Sequence, residues 1–260
     1  MTSAVIDSHC HLADPKLRGD LDGVIARAAD AGVRTIISVG AIGSLETDRM
    51  TVEIAQSNPR VYAVIGVHPH DASDCDRARL EALHELAHAG KVVAVGESGL
   101  DFHYMRSPQP AQEQSLRAQL ELARELALPI VIHCRAAERR LCEIVRETGL
   151  PPRGGVIHCF SADAAAAREF LDLGFHISFA GMVTFKNAAG LRAAVPVVPD
   201  ARVMIETDAP YLAPEPYRGK RNEPAFITRT LDLLAVLRHT DAATLAEIAA
   251  ANTRRLFNLP

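Results

Sequence analysis

Residues 4–11 read AVIDSHCH, a short apolar run from Ala4 that ends in two histidines with one residue between them. In an open doubly wound sheet the first strand is usually followed by a glycine-rich phosphate turn, and His9-Cys10-His11 stands in that place here. Side chains alternate along an extended strand, so His9 and His11 point to the same side and can reach one ion. H-x-H is short and common, and its meaning depends on what stands elsewhere in the chain.

Apolar runs rich in Val and Ile recur at Thr35 to Val39, Val61 to Val67, Val92 to Val95, Ile130 to Ile132, Gly155 to Ile157, His176 to Phe179 and Val203 to Ile205. With Ala4 to Ile6 they make eight candidate strands. Most of the intervening stretches carry helical periodicity, as in Leu21 to Ala31 and Gln112 to Leu128. Repeated strand and helix units imply a parallel sheet, and near-continuous apolar strands imply burial on both faces. Eight of them in 260 residues, close to the ~250 typical of the architecture, predict an α/β fold: a single (β/α)₈ TIM barrel occupying residues 1–260 as one domain. Residues beyond Leu231 read as helix that covers the barrel wall.

The ends of later runs carry further ligand-type groups: Glu97 after VVAVG, His133 after PIVI, His158 after GGVI and Asp208 after VMIET. A barrel builds its active face from the carboxyl ends of its strands, so six such groups on five strands predict a metal site. Four imidazoles and two carboxylates exceed the roughly three protein ligands of one catalytic zinc, which implies two ions. Two ions about 3.5–4 Å apart suit in-line displacement at phosphorus. The expected arrangement places His9, His11 and Asp208 on the first ion, His133 and His158 on the second, and Glu97 as a bridge. Glu97 and Asp208 are the expected catalytic groups, Asp208 as acceptor of the water proton. Imidazole suits Zn, Co or Ni, and carboxylate also admits Mg or Mn.

Substrate contacts are expected from His68 and His70, in HPH after the third run, and from Arg135, two residues past His133 and able to clamp a phosphate. Tyr211 and the loop YRGKRN, with Arg218, Lys220 and Arg221 beside Tyr217, supply cations and aromatic surface for phosphate and base contacts. His84, His88, His103, His176 and His239 read as structural or surface residues, and Ser98 has no base partner at readable spacing.

Composition limits the alternatives. Five cysteines without C-x-x-C spacing form neither a disulfide framework nor a zinc knuckle and fit a reducing compartment. A net charge of −4 argues against a broad basic surface, so any nucleic-acid contact is local. The opening residues lack the pattern of a secretory signal, and no run reaches the ~18 apolar residues of a membrane span. A cytoplasmic protein with no membrane association and no obligate protein partner is expected.

DSHCHL, GVHPH, GESGLDF, PIVIHCR, HCFS, SFAGMVTFKNA, ETDAPYLAP and YRGKRNEP resemble, in order, the signature blocks of TatD-type metal-dependent deoxyribonucleases, from about Asp7 to Asn252. The resemblance implies a metallo-dependent hydrolase that binds two divalent ions (Mg, Mn or Zn) and cleaves phosphodiesters in DNA, commonly from the 3′ end, with single-stranded DNA or 3′ ends as the partner. It gives His9, His11, Glu97, His133, His158 and Asp208 the ligand positions. Ser98, Phe102 and Ala162 depart from the usual residues of the blocks; none is a ligand, so they bear on substrate preference. The same ions serve hydrolases of other bonds, such as the aminoacyl ester of tRNA or a small cyclic amide. The cationic and imidazole groups His68, His70, Arg135, Arg218, Lys220 and Arg221 suit a polyanion better than a neutral amide. A scaffold that kept the fold but lost its site is disfavoured by the presence of every candidate ligand.

Overall fold

A computed structural model describes residues 5–260; Ala4, the start of the first expected strand, lies outside them. Eight strands, β1 (Val5–Cys10), β2 (Val33–Val39), β3 (Val61–Ile65), β4 (Val92–Asp101), β5 (Ile130–Arg135), β6 (Gly155–Ile157), β7 (His176–Phe179) and β8 (Val203–Ile205), form one sheet in sequence order. All seven neighbouring pairs are parallel. The ring closes between the last strand and the first: Asp208 N–H donates to the His9 carbonyl (2.9 Å) and His11 N–H to the Ala209 carbonyl (2.7 Å). Ser8 Oγ donates to the Ile205 carbonyl (3.0 Å), and Thr207 Oγ1 donates to Asp7 Oδ2 (2.5 Å). The result is a (β/α)₈ barrel.

Alternation along the strands divides the core in two. Ile36, Ala63, Ile65, Val95, Ile130, Ile132, Ile157, Val203 and Ile205 belong to the large cluster shared with the helices. Their neighbours Ile37, Val64, Ala94, Val131, Val156 and Met204 form a separate cluster, joined by Leu256 and Phe257 near the carboxyl end of the chain. A shift of one residue swaps the face, as the pleat requires, so the second cluster is the barrel interior. His133, His158 and Glu206 follow the interior residues Val131, Val156 and Met204 by two positions and inherit their direction.

The helices follow the strands: α1 (Pro15–Arg18) and α2 (Leu21–Asp30) after β1, α3 (Leu45–Ser57) after β2, α4 (Arg77–Ala87) after β3, α5 (Gln109–Glu125) after β4, α6 (Glu138–Thr148) after β5, α7 (Ala164–Asp172) after β6, α8 (Ala189–Ala194) after β7, and α9 (Ile227–Leu237) and α10 (Ala242–Phe257) after β8. The carboxyl-terminal helix α10 packs against β1 and β8 and covers the closing seam. No helix of the described residues is long and apolar enough to cross a membrane.

Three strand bounds differ from the apolar runs for one reason. β1, β4 and β5 continue to Cys10, Asp101 and Arg135, through the polar residues of the site, because backbone pairing with neighbouring strands holds them extended. β3 ends at Ile65, two residues before its apolar run does. α5 begins and ends three residues before the periodic stretch that marks it.

Candidate metal centre

Two local devices bring Glu97 inward. Strict alternation would give Glu97 the outer direction of Val95, but the β4–β5 register shifts between Val95 and Ser98, and an irregularity of this kind re-aims a side chain. Two residues on, Gly99 has φ +142°, and a Cβ there would lie 1.9 Å from the His133 carbonyl oxygen. Only glycine lets β4 approach β5 where His133 leaves it. Asp208 (φ +56°) and Cys159 (φ +42°) also occupy the left-handed region beside the cluster, a conformation that L residues adopt at a cost and that gathers at functional sites.

The six expected ligands converge at the carboxyl ends of the strands, and His9, His11, Glu97, His158 and Asp208 are buried. The two oxygens of Glu97 face different partners. Oε2 lies 3.3 Å from His9 Nε2 and 3.8 Å from His11 Nε2, while Asp208 Oδ1 lies 3.3 Å from His11 Nε2 and 3.7 Å from His9 Nε2. Oε1 lies 2.9 Å from His133 Nδ1, 2.7 Å from His158 Nε2 and 3.2 Å from His68 Nε2. Ligand atoms of His9, His11 and Asp208, of His68, Glu97 and His133, and of His9, His158 and Glu206 each fall within 4.8 Å of one another.

Hydrogen-bond acceptors on the far side of three rings orient the opposite nitrogens toward the cluster. His11 Nδ1 faces the Val39 carbonyl (3.1 Å), His158 Nδ1 faces Glu206 Oε1 (3.2 Å), and His133 Nε2 faces Asp101 Oδ2 (3.1 Å). Each acceptor holds a ring proton on the far nitrogen, so a cation in the cluster would be met by His11 Nε2, His158 Nε2 and His133 Nδ1. His68 is different. Its Nδ1 accepts the His70 N–H (3.0 Å), so the neutral ring carries its proton on Nε2 and donates it to Glu97. Burial, against the pull of the Glu97 carboxylate, pushes the His68 pKa down to about 4 and keeps the ring neutral.

Burial opposes ionisation throughout, yet the charge of His158 and hydrogen bonds from His133 and His158 hold the Glu97 pKa well below the usual carboxylate value. Burial likewise disfavours the charged forms at His158 and Asp208. The Glu97 and Glu206 carboxylates nevertheless raise His158 well above its ordinary pKa, and His11 lowers that of Asp208. Positive charge is what this pocket requires. His11 Nε2 lies 3.3 Å from His9 Nε2 with two carboxylates alongside, a donor set that fits divalent cations.

Two residues absent from the sequence-based set complete the site. Asp101, fully buried, places Oδ2 2.9 Å from His70 Nε2 as well as 3.1 Å from His133 Nε2. Glu206 accepts from the Cys159 N–H (2.7 Å) and, with Oε1, from His158. Both stand within four residues of an expected ligand, but an acidic residue behind an imidazole has no signature apart from the fold. On α5, Gln112 and Gln119 lie seven apart, both fully buried. Gln112 bonds Asp101 N–H (2.7 Å), and Gln119 clamps both the N–H (2.8 Å) and the carbonyl (2.9 Å) of Val67, the residue before His68.

The expected substrate residues are distributed unevenly. His68 and His70 border the cluster, and Tyr211 sets its ring edge-on to His11, at 5.8 Å between centroids, with its hydroxyl donating to Asp14 (2.7 Å). Arg135 is exposed, its guanidinium 4.7 Å from the ring centre of Tyr104. Arg218 is exposed over Phe185, and Lys220 is exposed. Arg221 instead turns toward α1, donating to the Lys16 carbonyl (3.0 Å) beside Glu223 (3.5 Å).

A family model described as TatD related DNase matches residues 6–258. The chain belongs to the TatD-related DNase family. It is 40% identical over 259 residues to a protein of Bacillus subtilis named as the uncharacterized metal-dependent hydrolase YabD, covering 98% of this chain and 99% of that one. It is 35% identical over 262 residues to the 3′-5′ ssDNA/RNA exonuclease TatD of Salmonella typhimurium, covering 98% and 99%. The crystal structure of YjjV, a TatD homologue from Escherichia coli K12, superimposes with a TM-score of 0.92 at 33% identity over 100% of both chains. This TatD-family chain is therefore a metal-dependent hydrolase on a TIM barrel, and the cluster around Glu97 is its candidate metal centre.

Proposed function

We propose that this TatD-family hydrolase cleaves phosphodiester bonds in DNA, acting from the 3′ end of single strands, with two divalent ions held on either side of Glu97. The division of the Glu97 oxygens carries the reading. Oε2 faces His9 and His11, and Oε1 faces His133 and His158, so one carboxylate serves two donor sets. His9, His11 and Asp208 would hold one ion, His133 and His158 the other. Bound there, the ions would supply Lewis acidity at phosphorus and lower the pKa of water.

The protein groups have separate tasks. Asp208, ionised and 8% exposed at the cavity wall, takes the proton of the attacking water. His68 donates to Glu97 and holds the bridge in one orientation. Arg135, Arg218 and Lys220 stand at the exposed rim, where they meet the phosphates of a strand whose scissile group lies below. The name of the Salmonella relative, a 3′-5′ ssDNA/RNA exonuclease, supports a single-stranded nucleic acid as substrate. The test is hydrolysis of single-stranded DNA, duplex DNA, RNA and aminoacyl-tRNA by metal-stripped enzyme reloaded with Mg, Mn or Zn. Expected is 3′-first shortening of single-stranded DNA; release of the amino acid from tRNA without DNA cleavage would replace the nuclease with an esterase.

A further inference from the structure

Among the described residues, three large hydrophobic side chains are largely exposed, and two are neighbours: Tyr104 (51%) and Met105 (44%). They sit on the loop from Phe102 to Pro108 that joins β4 to α5. Exposed apolar side chains in pairs mark contact surfaces more often than isolated ones do. Their surroundings specify the contact. The Arg135 guanidinium lies 4.7 Å and that of Arg106 5.7 Å from the Tyr104 ring centre. The His103 and His70 rings approach Tyr104 edge-on at 4.7 and 5.7 Å.

The loop is held firmly. Asp101 Oδ1 accepts the N–H of His103 (3.0 Å) and of Tyr104 (2.8 Å). Gln112 Nε2 donates to the Ser107 carbonyl (2.8 Å), and the Ser107 hydroxyl donates to the His70 carbonyl (2.8 Å). The ring is thus presented at little entropic cost to a ligand. Asp101 is also the residue that holds His133 and His70 through its other oxygen, so the platform is tied to the rim of the metal centre.

We infer that Tyr104, flanked by Arg106 and Arg135, is a stacking subsite for a nucleobase of single-stranded DNA next to the cleaved phosphate. The inference rests on the nuclease reading above and specifies how the strand is gripped. A half-exposed ring offers aromatic surface on which any base can stack, and the Arg106 and Arg135 guanidiniums, 5.7 and 4.7 Å from its centre, are close enough to meet the neighbouring phosphates. An acidic peptide would use the cations but leave the ring unmatched.

The test removes the base from the ligand and the ring from the protein. Metal-loaded enzyme is titrated with phosphorothioate strands that resist cleavage, one intact and others each abasic at one position. Wild type should bind one of the abasic strands about 5- to 100-fold more weakly than the intact strand. In Tyr104→Ala that ratio should collapse to about one, and in Tyr104→Phe it should persist. The chain contains no tryptophan, so Tyr104→Trp supplies a single fluorophore that the intact strand should quench and the sensitive abasic strand should not. Binding indifferent to every abasic position, or an abasic penalty undiminished in Tyr104→Ala, overturns the subsite and leaves the nuclease reading standing. Failure of wild type to bind or cleave any single strand removes both.

Discussion

Asp101 Oδ2 lies 3.1 Å from His133 Nε2, on the side of the ring opposite the Nδ1 that faces Glu97. The carboxylate fixes the tautomer of a proposed ligand without reaching the ion itself. Loss of such a partner typically costs about 10- to 100-fold in metal affinity or activity. Asp101→Asn should therefore weaken one of the two proposed ions by about that factor, read by calorimetric titration of stripped protein, with the other ion changed little. The Co(II)-loaded variant should also show an altered visible spectrum. An unchanged titration and spectrum would confine Asp101 to supporting the loop of Tyr104.

Glu97 is the sharper test of the two-ion arrangement. Glu97→Ala removes both oxygens from the cluster and leaves the interior residues Val131, Val156 and Met204 untouched, so the fold should persist by circular dichroism. Metal content should fall from two ions to one or none, and turnover should be lost. A folded variant with near-normal turnover in metal-controlled buffer would eliminate the bridge.

Most of the architecture was legible because the barrel reduces to a rhythm of apolar runs. The interior register was legible at β5 and β6, where His133 and His158 extend the alternation of Val131 and Val156. At Glu97 it was not, for alternation alone would turn the side chain outward, and only the irregular β4–β5 register brings it in. Asp101 and Glu206 escaped for another reason: their role depends on ring nitrogens supplied by distant strands, and no spacing along the chain encodes that. Arg221 looked equivalent to Arg218 in the loop sequence, yet the two cations diverge because Glu223 and the Lys16 carbonyl lie on one side only.

His176, at the start of β7, gives a pH dependence separate from the metal centre. Burial, reinforced by the charge of Arg202, lowers its pKa from 6.5 to about 4. Between those values the unfolded chain binds a proton that the folded protein refuses, so stability rises with pH across this window and is lost as pH falls. The contribution is about 2 kcal/mol between pH 6.5 and 5. Urea unfolding of wild type and His176→Gln at pH 7 and pH 5 should show the smaller loss in the variant. Equal losses would mean that the ring accepts its proton in the folded state.

The cations of the loop after β8 should separate by their partners. Arg218 and Lys220 are exposed, with Arg218 placed over Phe185, and both can meet phosphate without breaking a carboxylate pair. Arg221 is committed to the Lys16 carbonyl and lies 3.5 Å from Glu223 and 3.8 Å from Asp20. A cation already compensated by carboxylates releases little counterion when a strand binds. Each true contact contributes roughly 0.7 to the log–log salt slope for single strands. Arg218→Ala and Lys220→Ala should each flatten that slope by about this amount and raise KM for single-stranded DNA, whereas Arg221→Ala should leave the slope nearly unchanged. If Arg221→Ala flattens the slope as much as the other two, the loop reorganises on the strand and frees its third cation. If none of the three does, the phosphates run over another part of the rim, with Arg106 and Arg135 the next cations to remove.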